Sequence, residues 1–209
     1  PDIDSPTETR KDQLVIDGAC RVEADADAFF SPYKIQLSRV GEGNLSPVFQ
    51  VGSESIALKR KISVSLFSEK IPDYLLPKLF MRCESNQSIR LLPVSRQGNF
   101  VSAYSPDFGT FSLVADTTPP RIQPVTKIDG MNLSNQKQIK IKVSDDLSGI
   151  AGYNFYIDDV YVMATYDAKT GMLSYRFDEH MPDGHEHRLR VETKDYAENI
   201  SVAEFSFEY

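Results

Sequence analysis

Tryptophan is absent from the 209 residues, histidine occurs three times, cysteine twice, and the apolar runs are all short. Each scarcity excludes something. A helix that crosses a bilayer needs about 20 consecutive apolar residues, so no membrane span is expected. No charged, apolar, small-residue leader opens the chain at Pro1, and the missing initiator Met leads us to expect a piece of a longer or processed precursor. Basic residues are outnumbered, 23 Lys and Arg against 30 Asp and Glu for a net charge of −7. A nucleic-acid partner, which relies on a basic face to displace counterions, is therefore not expected. Without Trp the strongest ring for stacking on sugars is missing. What remains, 41% hydrophobic and 25% charged, is the composition of a globular protein of one large or two small domains, and neither disorder nor fibre.

The sequence carries its own partition. Asp116-Thr117-Thr118-Pro119-Pro120-Arg121-Ile122 holds two adjacent prolines, which fix φ and push the preceding residue toward extended geometry. Such a stretch is a stiff joint, and it separates residues 13–116 from residues 117–209, each of a size that suits one β-sandwich. Residues 1–12, polar and proline-led, are expected to be a tail or former linker.

After the joint, apolar residues alternate in short runs: Ile139, Ile141, Val143; Tyr153, Phe155, Ile157; Leu173, Tyr175, Phe177; Leu189, Val191, Thr193; Ala203, Phe205, Phe207. Period two marks half-buried strands. Val160 to Tyr166 is expected to be one more strand, and Asp158-Asp159 a two-residue hairpin turn. Short strands with regular turns and no helical period predict an immunoglobulin-like sandwich. In the first half Tyr33, Ile35, Leu37; Ile62, Val64, Leu66; and Leu79, Met81, Cys83 alternate likewise, and Pro77 limits the stretch from Pro72 to Leu79 to a turn of helix. The expected class is all-β, two β-sandwich domains in tandem, the second immunoglobulin-like.

Residues able to do chemistry are few. His180, His185 and His187 fall in one octet, and on a strand His185-x-His187 would place both rings on one face. Zinc needs a third protein ligand, for which His180, Asp178, Glu179 and Asp183 are at hand, but a polar turn leading into a strand with its imidazoles outward explains the same residues. No metal and no cofactor are expected, these three histidines being the candidates otherwise. Asp145-Asp146, Asp158-Asp159, and Asp195 with Asn199 put oxygens at turns where calcium could be gathered; Asp, Asn and Ser also bond their own backbone in tight turns, which accounts for the composition without an ion. No Gly-x-Ser-x-Gly elbow or phosphate-cradling loop occurs, and no catalytic residue is expected. Cys20 and Cys83 could pair or lie buried as free thiols, the second being favoured. Tyr153, Tyr156, Tyr161 and Tyr166 cluster within two neighbouring strands and are the candidate binding residues, an aromatic docking patch or ordinary strand residues.

Asp116 to Ile122, Val143-Ser144-Asp145-Asp146-Leu147-Ser148-Gly149-Ile150, Tyr156-Ile157-Asp158-Asp159 and Val191-Glu192-Thr193-Lys194-Asp195-Tyr196-Ala197-Glu198-Asn199 together resemble the C-terminal accessory region of exported lysostaphin-type metallopeptidases of Bacteroidetes. Phe108 to Asp116 is similar to the end of the domain before that module. The resemblance covers most of residues 98–209 and, more loosely, 13–97. Asp159 and Glu198 stand where that pattern has Gly, so those two turns are expected to relax into other types. The family's metal site joins an upstream His-x-x-x-Asp to a later His-x-His, and here no His precedes His180. The resemblance thus implies an accessory region without the hydrolytic domain.

The implied function is a non-catalytic spacer and docking region of an extracytoplasmic protein of the periplasm or cell surface, a cell-wall peptidase whose catalytic domain would be its partner. The alternatives are a module that binds surface glycan or peptidoglycan through the four tyrosines, an adhesin-type domain, and a metal hydrolase built on His185 and His187.

Overall fold

The computed structural model describes residues 12–69, 71–177 and 181–209. The chain divides into two compact units, the first ending at Ala115 and the second running from Asp116 to Tyr209. Both are all-β. The expected tail falls almost wholly outside the described residues; of it only Asp12 is described, and its Oδ1 accepts the N–H of Ala26 at 2.7 Å.

The first unit contains β1 (Gln13–Asp17), β2 (Cys20–Ala24), β3 (Leu37–Glu42), β4 (Pro47–Val51) and β5 (Ile62–Phe67). It continues with β6 (Leu79–Ser85), β7 (Ser88–Pro93), β8 (Ser95–Gln97), β9 (Phe100–Ser105) and β10 (Gly109–Ala115). They form two antiparallel five-stranded sheets, in the orders β1-β2-β5-β9-β8 and β3-β4-β10-β6-β7. The alternation in sequence explains their union. Cys20, Val22, Val64, Leu66 and Val101 of one sheet bury their side chains together with Phe49, Met81, Cys83, Phe111 and Leu113 of the other, while the intervening residues stay outside the core. Of the alternating triplets, Tyr33-Ile35-Leu37 is not a strand: β3 begins only at Leu37, although Ile35 is buried. Gln13 holds this stretch through its side chain, which accepts from the Ile35 N–H at 3.0 Å and donates to the Tyr33 carbonyl. Between β5 and β6 a 3-10 helix spans Asp73–Lys78 with Pro77 inside it.

The second unit contains β11 (Arg121–Pro124), β12 (Met131–Asn132), β13 (Gln138–Ser144), β14 (Ile150–Ile157) and β15 (Val160–Val162), followed by β16 (Thr165–Asp167), β17 (Met172–Arg176), β18 (Glu186–Asp195) and β19 (Ile200–Glu208). One sheet has the order β11-β13-β17-β16, the other β12-β19-β18-β14-β15. Taken in chain order as A, A′, B, C, C′, D, E, F and G, these are the ABED and GFC arrangements of an immunoglobulin-like sandwich, with C′ added beside C. Ile139, Ile141, Val143, Leu173 and Tyr175 of the first sheet meet Phe155, Ile157, Leu189, Val191 and Phe207 of the second in one core.

The expected strand Val160 to Tyr166 is in fact two. β15 pairs with β14 and β16 with β17, so the chain changes sheets at Met163-Ala164. Continuous β-propensity hides the crossing, because each half satisfies period two against a different partner. The turns at Asp159 and Glu198 also depart from expectation. Asp158 and Asp159 have φ of 51° and 64°, and Glu198 has φ of 64°. All three hold the left-handed geometry usually given to Gly.

Candidate functional site

Antiparallel pairing brings four strand ends to one pole of the second unit. Arg121 opposite Ser144 places the start of β11 beside the end of β13, and Ile150 opposite Asp195 places the start of β14 beside the end of β18. Asp116, Asp145 and Asp195 are the acidic residues at these ends, and one carboxylate oxygen from each lies within 4.8 Å of the others. Asp116 is 2% exposed and Asp195 fully buried.

Local hydrogen bonds hold each carboxylate. The Asp145 Oδ2 accepts the N–H groups of Leu147 at 3.0 Å and Gly149 at 2.8 Å, which closes the turn after β13. The Asp116 Oδ2 accepts from the Ser148 N–H at 2.9 Å and its Oδ1 from the Thr118 N–H at 3.1 Å. Asp195 accepts from Asn199 twice, from the backbone N–H at 2.8 Å and from Nδ2 at 2.7 Å; the same Nδ2 reaches the Asp116 carbonyl at 3.1 Å. Two oxygens of the β13–β14 loop remain enclosed without a hydrogen-bond partner, Asp145 Oδ1 and Ser148 Oγ.

The acidic turns noted in sequence therefore separate. Asp145, Asp195 and Asn199 come together, whereas Asp146 pairs with Arg121 at 2.9 Å on the surface, and Asp158 turns to His187. Asp116 was missed because it precedes the prolines and looks like linker; the signal available was its place next to the first strand of the unit it belongs to.

The four tyrosines do not form one platform. Tyr153 and Tyr166 pack against the core with their rings 5.5 Å apart, and the Tyr153 hydroxyl donates to the Ala164 carbonyl at 3.3 Å. Burial, with Asp167 next to it, raises the Tyr166 phenol above its usual range. Tyr156 and Tyr161 stand opposite each other on β14 and β15, facing outward with an edge-to-face contact at 5.9 Å. The Arg190 guanidinium covers the Tyr156 ring at 4.2 Å, and Tyr161 is 57% exposed. Period two explains the split, since Tyr153 shares the inward parity of Phe155 and Ile157 while Tyr156 has the opposite one.

His185 and His187 do not share a face. β18 begins at Glu186, so strand alternation does not extend back to His185, whose side chain is exposed and lies 3.8 Å from Glu208. His187 shares the inward parity of Leu189; its ring is buried, with Nδ1 2.7 Å from Asp158 Oδ2, beside Phe207. The outward imidazoles expected from sequence are thus one outward and one inward. His180, Asp178 and Glu179 lie outside the described residues. Cys20 and Cys83 are free and buried. Burial, and secondarily the charge of Asp17, push the Cys20 thiol up to about 12, and burial raises Cys83 as well.

No protein-family model and no curated protein matches this sequence. Among solved structures the chain is similar to the fibronectin(III)-like modules of Clostridium thermocellum CbhA, with TM-score 0.34 and 12% identity over 71% of this chain and 85% of that one. It is also similar to the glycoside hydrolase domain of Endo-D from Streptococcus pneumoniae R6, with TM-score 0.29 and 10% identity over 85% of this chain and 36% of that one. Likeness of this degree assigns no activity.

Proposed function

We propose that the chain is a non-catalytic accessory region, a spacer and docking module of an extracytoplasmic cell-wall peptidase, and that it docks through the outward face of the β14–β15 hairpin. The supporting observation is the Tyr156–Tyr161 pair, two aromatic rings on the solvent side of a sheet, with Arg190 over one of them. Exposed aromatic and guanidinium groups are what interfaces are enriched in. Asn154 and Glu192 lie alongside, within 3.4 Å of each other, and supply amide and carboxylate groups to a hydroxyl-rich surface. The association with a peptidase, and with it the extracytoplasmic setting, comes from the sequence resemblance.

Docking to wall material is tested by sedimenting the 209-residue chain with isolated peptidoglycan. Saturable binding that falls at least tenfold in Tyr161→Ala, with Tyr74→Ala as an exposed-tyrosine control, is the expected result. Binding unaffected by Tyr156→Ala and Tyr161→Ala together would remove this face from the account. No binding at all would leave the chain a spacer.

A further inference from the structure

The geometry points to a calcium site formed by Asp116, Asp145 and Asp195 at the pole of the immunoglobulin-like unit. No two of the three ligand oxygens are more than 4.8 Å apart, so a point exists within about 2.8 Å of all three, close to the 2.3–2.6 Å at which calcium holds oxygen. The donors are all carboxylate oxygens, hard ligands that suit calcium and not zinc, which favours nitrogen and sulfur.

Burial supplies the independent argument. Carboxylates are taken out of water only when paired or bound to metal, yet Asp195 is fully buried and Asp116 nearly so. The basic side chains nearest in this unit's sequence serve other acids: Arg121 pairs with Asp146 and Lys194 with Glu198. The backbone and amide donors around the cluster do not use up its oxygens. Asp145 spends Oδ2 on its own turn, and Oδ1 is left enclosed with no donor. Ser148 Oγ, in the same loop, is enclosed and partnerless too. Asp145, whose carboxylate joins two buried ones, thus keeps an enclosed oxygen without a donor, a group that a cation would satisfy.

Such an ion would tie the start of β11, the β13–β14 loop and the end of β18, so its effect is on stability. It goes beyond docking, which concerns the β14–β15 face, and is tested without wall material. The metal-free 209-residue chain is titrated with CaCl2 by calorimetry, and its thermal midpoint is followed in parallel. We expect one calcium per chain with Kd of ~10⁻⁴ M, in the range of extracellular modules, and at 10 mM calcium a midpoint of the second unit's transition raised by roughly 10–20 °C. Asp145→Asn, whose amide oxygen can still cap the turn, should weaken binding at least tenfold, and Asp146→Asn should leave it unchanged. No binding heat and no midpoint shift at 10 mM calcium would overturn the site, as would unchanged affinity in Asp145→Asn. If Asp145→Asn does not fold, Asp195→Asn takes its place under the same criterion, and the wild-type titration decides alone if neither folds. Magnesium binding as tightly as calcium would overturn the choice of ion.

Discussion

A buried thiol is a pH sensor for stability. Cys20, at the start of β2, is held up to about 12 by burial and by Asp17, whereas in the unfolded chain it ionises near its ordinary value of 9.0. Above pH 9 the unfolded state therefore releases a proton that the folded state keeps. Stability is full below that pH and falls as pH rises, by about 1.4 kcal/mol per unit for this one group. Urea unfolding between pH 7 and 11 should show this slope, and Cys20→Ala should reduce it, whatever the substitution does to stability at pH 7. His187 offers a second case. Its ring is buried against Phe207 and bonded to Asp158, which also accepts the Arg188 N–H at 2.8 Å through its other oxygen. His187→Ala removes the ring and strands an acidic oxygen, and should cost about 2–4 kcal/mol by urea unfolding. Sequence marked both residues without telling their surroundings. The parity of Cys20 with Val22 disclosed its burial, and that of His187 with Leu189 disclosed its inward place as well, whereas the outward place of His185 depends on β18 starting at Glu186, which no local pattern announces.

Hairpins show how far local chemistry was legible. Alternating runs identified β5, β6, β13, β14, β17, β18 and β19, since each is buried on one face and a one-residue slip would expose that face to water. The Asp158-Asp159 turn was legible for the same reason, two runs separated by two residues. Both residues have positive φ, which the first tolerates because its side chain bonds His187 and the Arg188 N–H. Asp159 has no such reward, as its pairing with Arg190 is exposed and long at 3.8 Å. Asp159→Gly should therefore stabilise the unit by about 0.5–1 kcal/mol, read from the shift in urea midpoint. Gly171 is the opposite case. It closes the β16–β17 turn at φ +68°, and a Cβ there would sit 2.4 Å from the Val143 carbonyl oxygen. Gly171→Ala should lower stability by at least about 2 kcal/mol, since strain and a backbone clash act together. What escaped at this scale was the change of sheet between β15 and β16, because the propensity of a residue for strand says nothing about which strand it will pair with.

For the molecule as a whole, the partition rests on where one residue belongs. Composition puts the boundary after Asp116, at the prolines, but the side chain and carbonyl of Asp116 are bound to Thr118, Ser148 and Asn199, all in the second unit. Charge explains why the reading stopped short: a lone Asp before a Pro-Pro pair looks like linker, and only folding brings Asp145 and Asp195 to it from 29 and 79 residues away. The second unit has its own core and both of its sheets, so residues 116–209 should fold alone, with a β-type circular dichroism spectrum and one cooperative transition. Residues 117–209 should fold too, but with less stability in metal-free buffer, by about 1–3 kcal/mol, because the Ser148 N–H and the Asn199 amide each lose an acceptor in a buried setting. The added repulsion among the carboxylates in the longer segment works against that difference, and calcium removes the repulsion. The gap between the two segments should therefore widen as calcium is added. Equal urea midpoints with and without calcium would mean that Asp116 is linker after all.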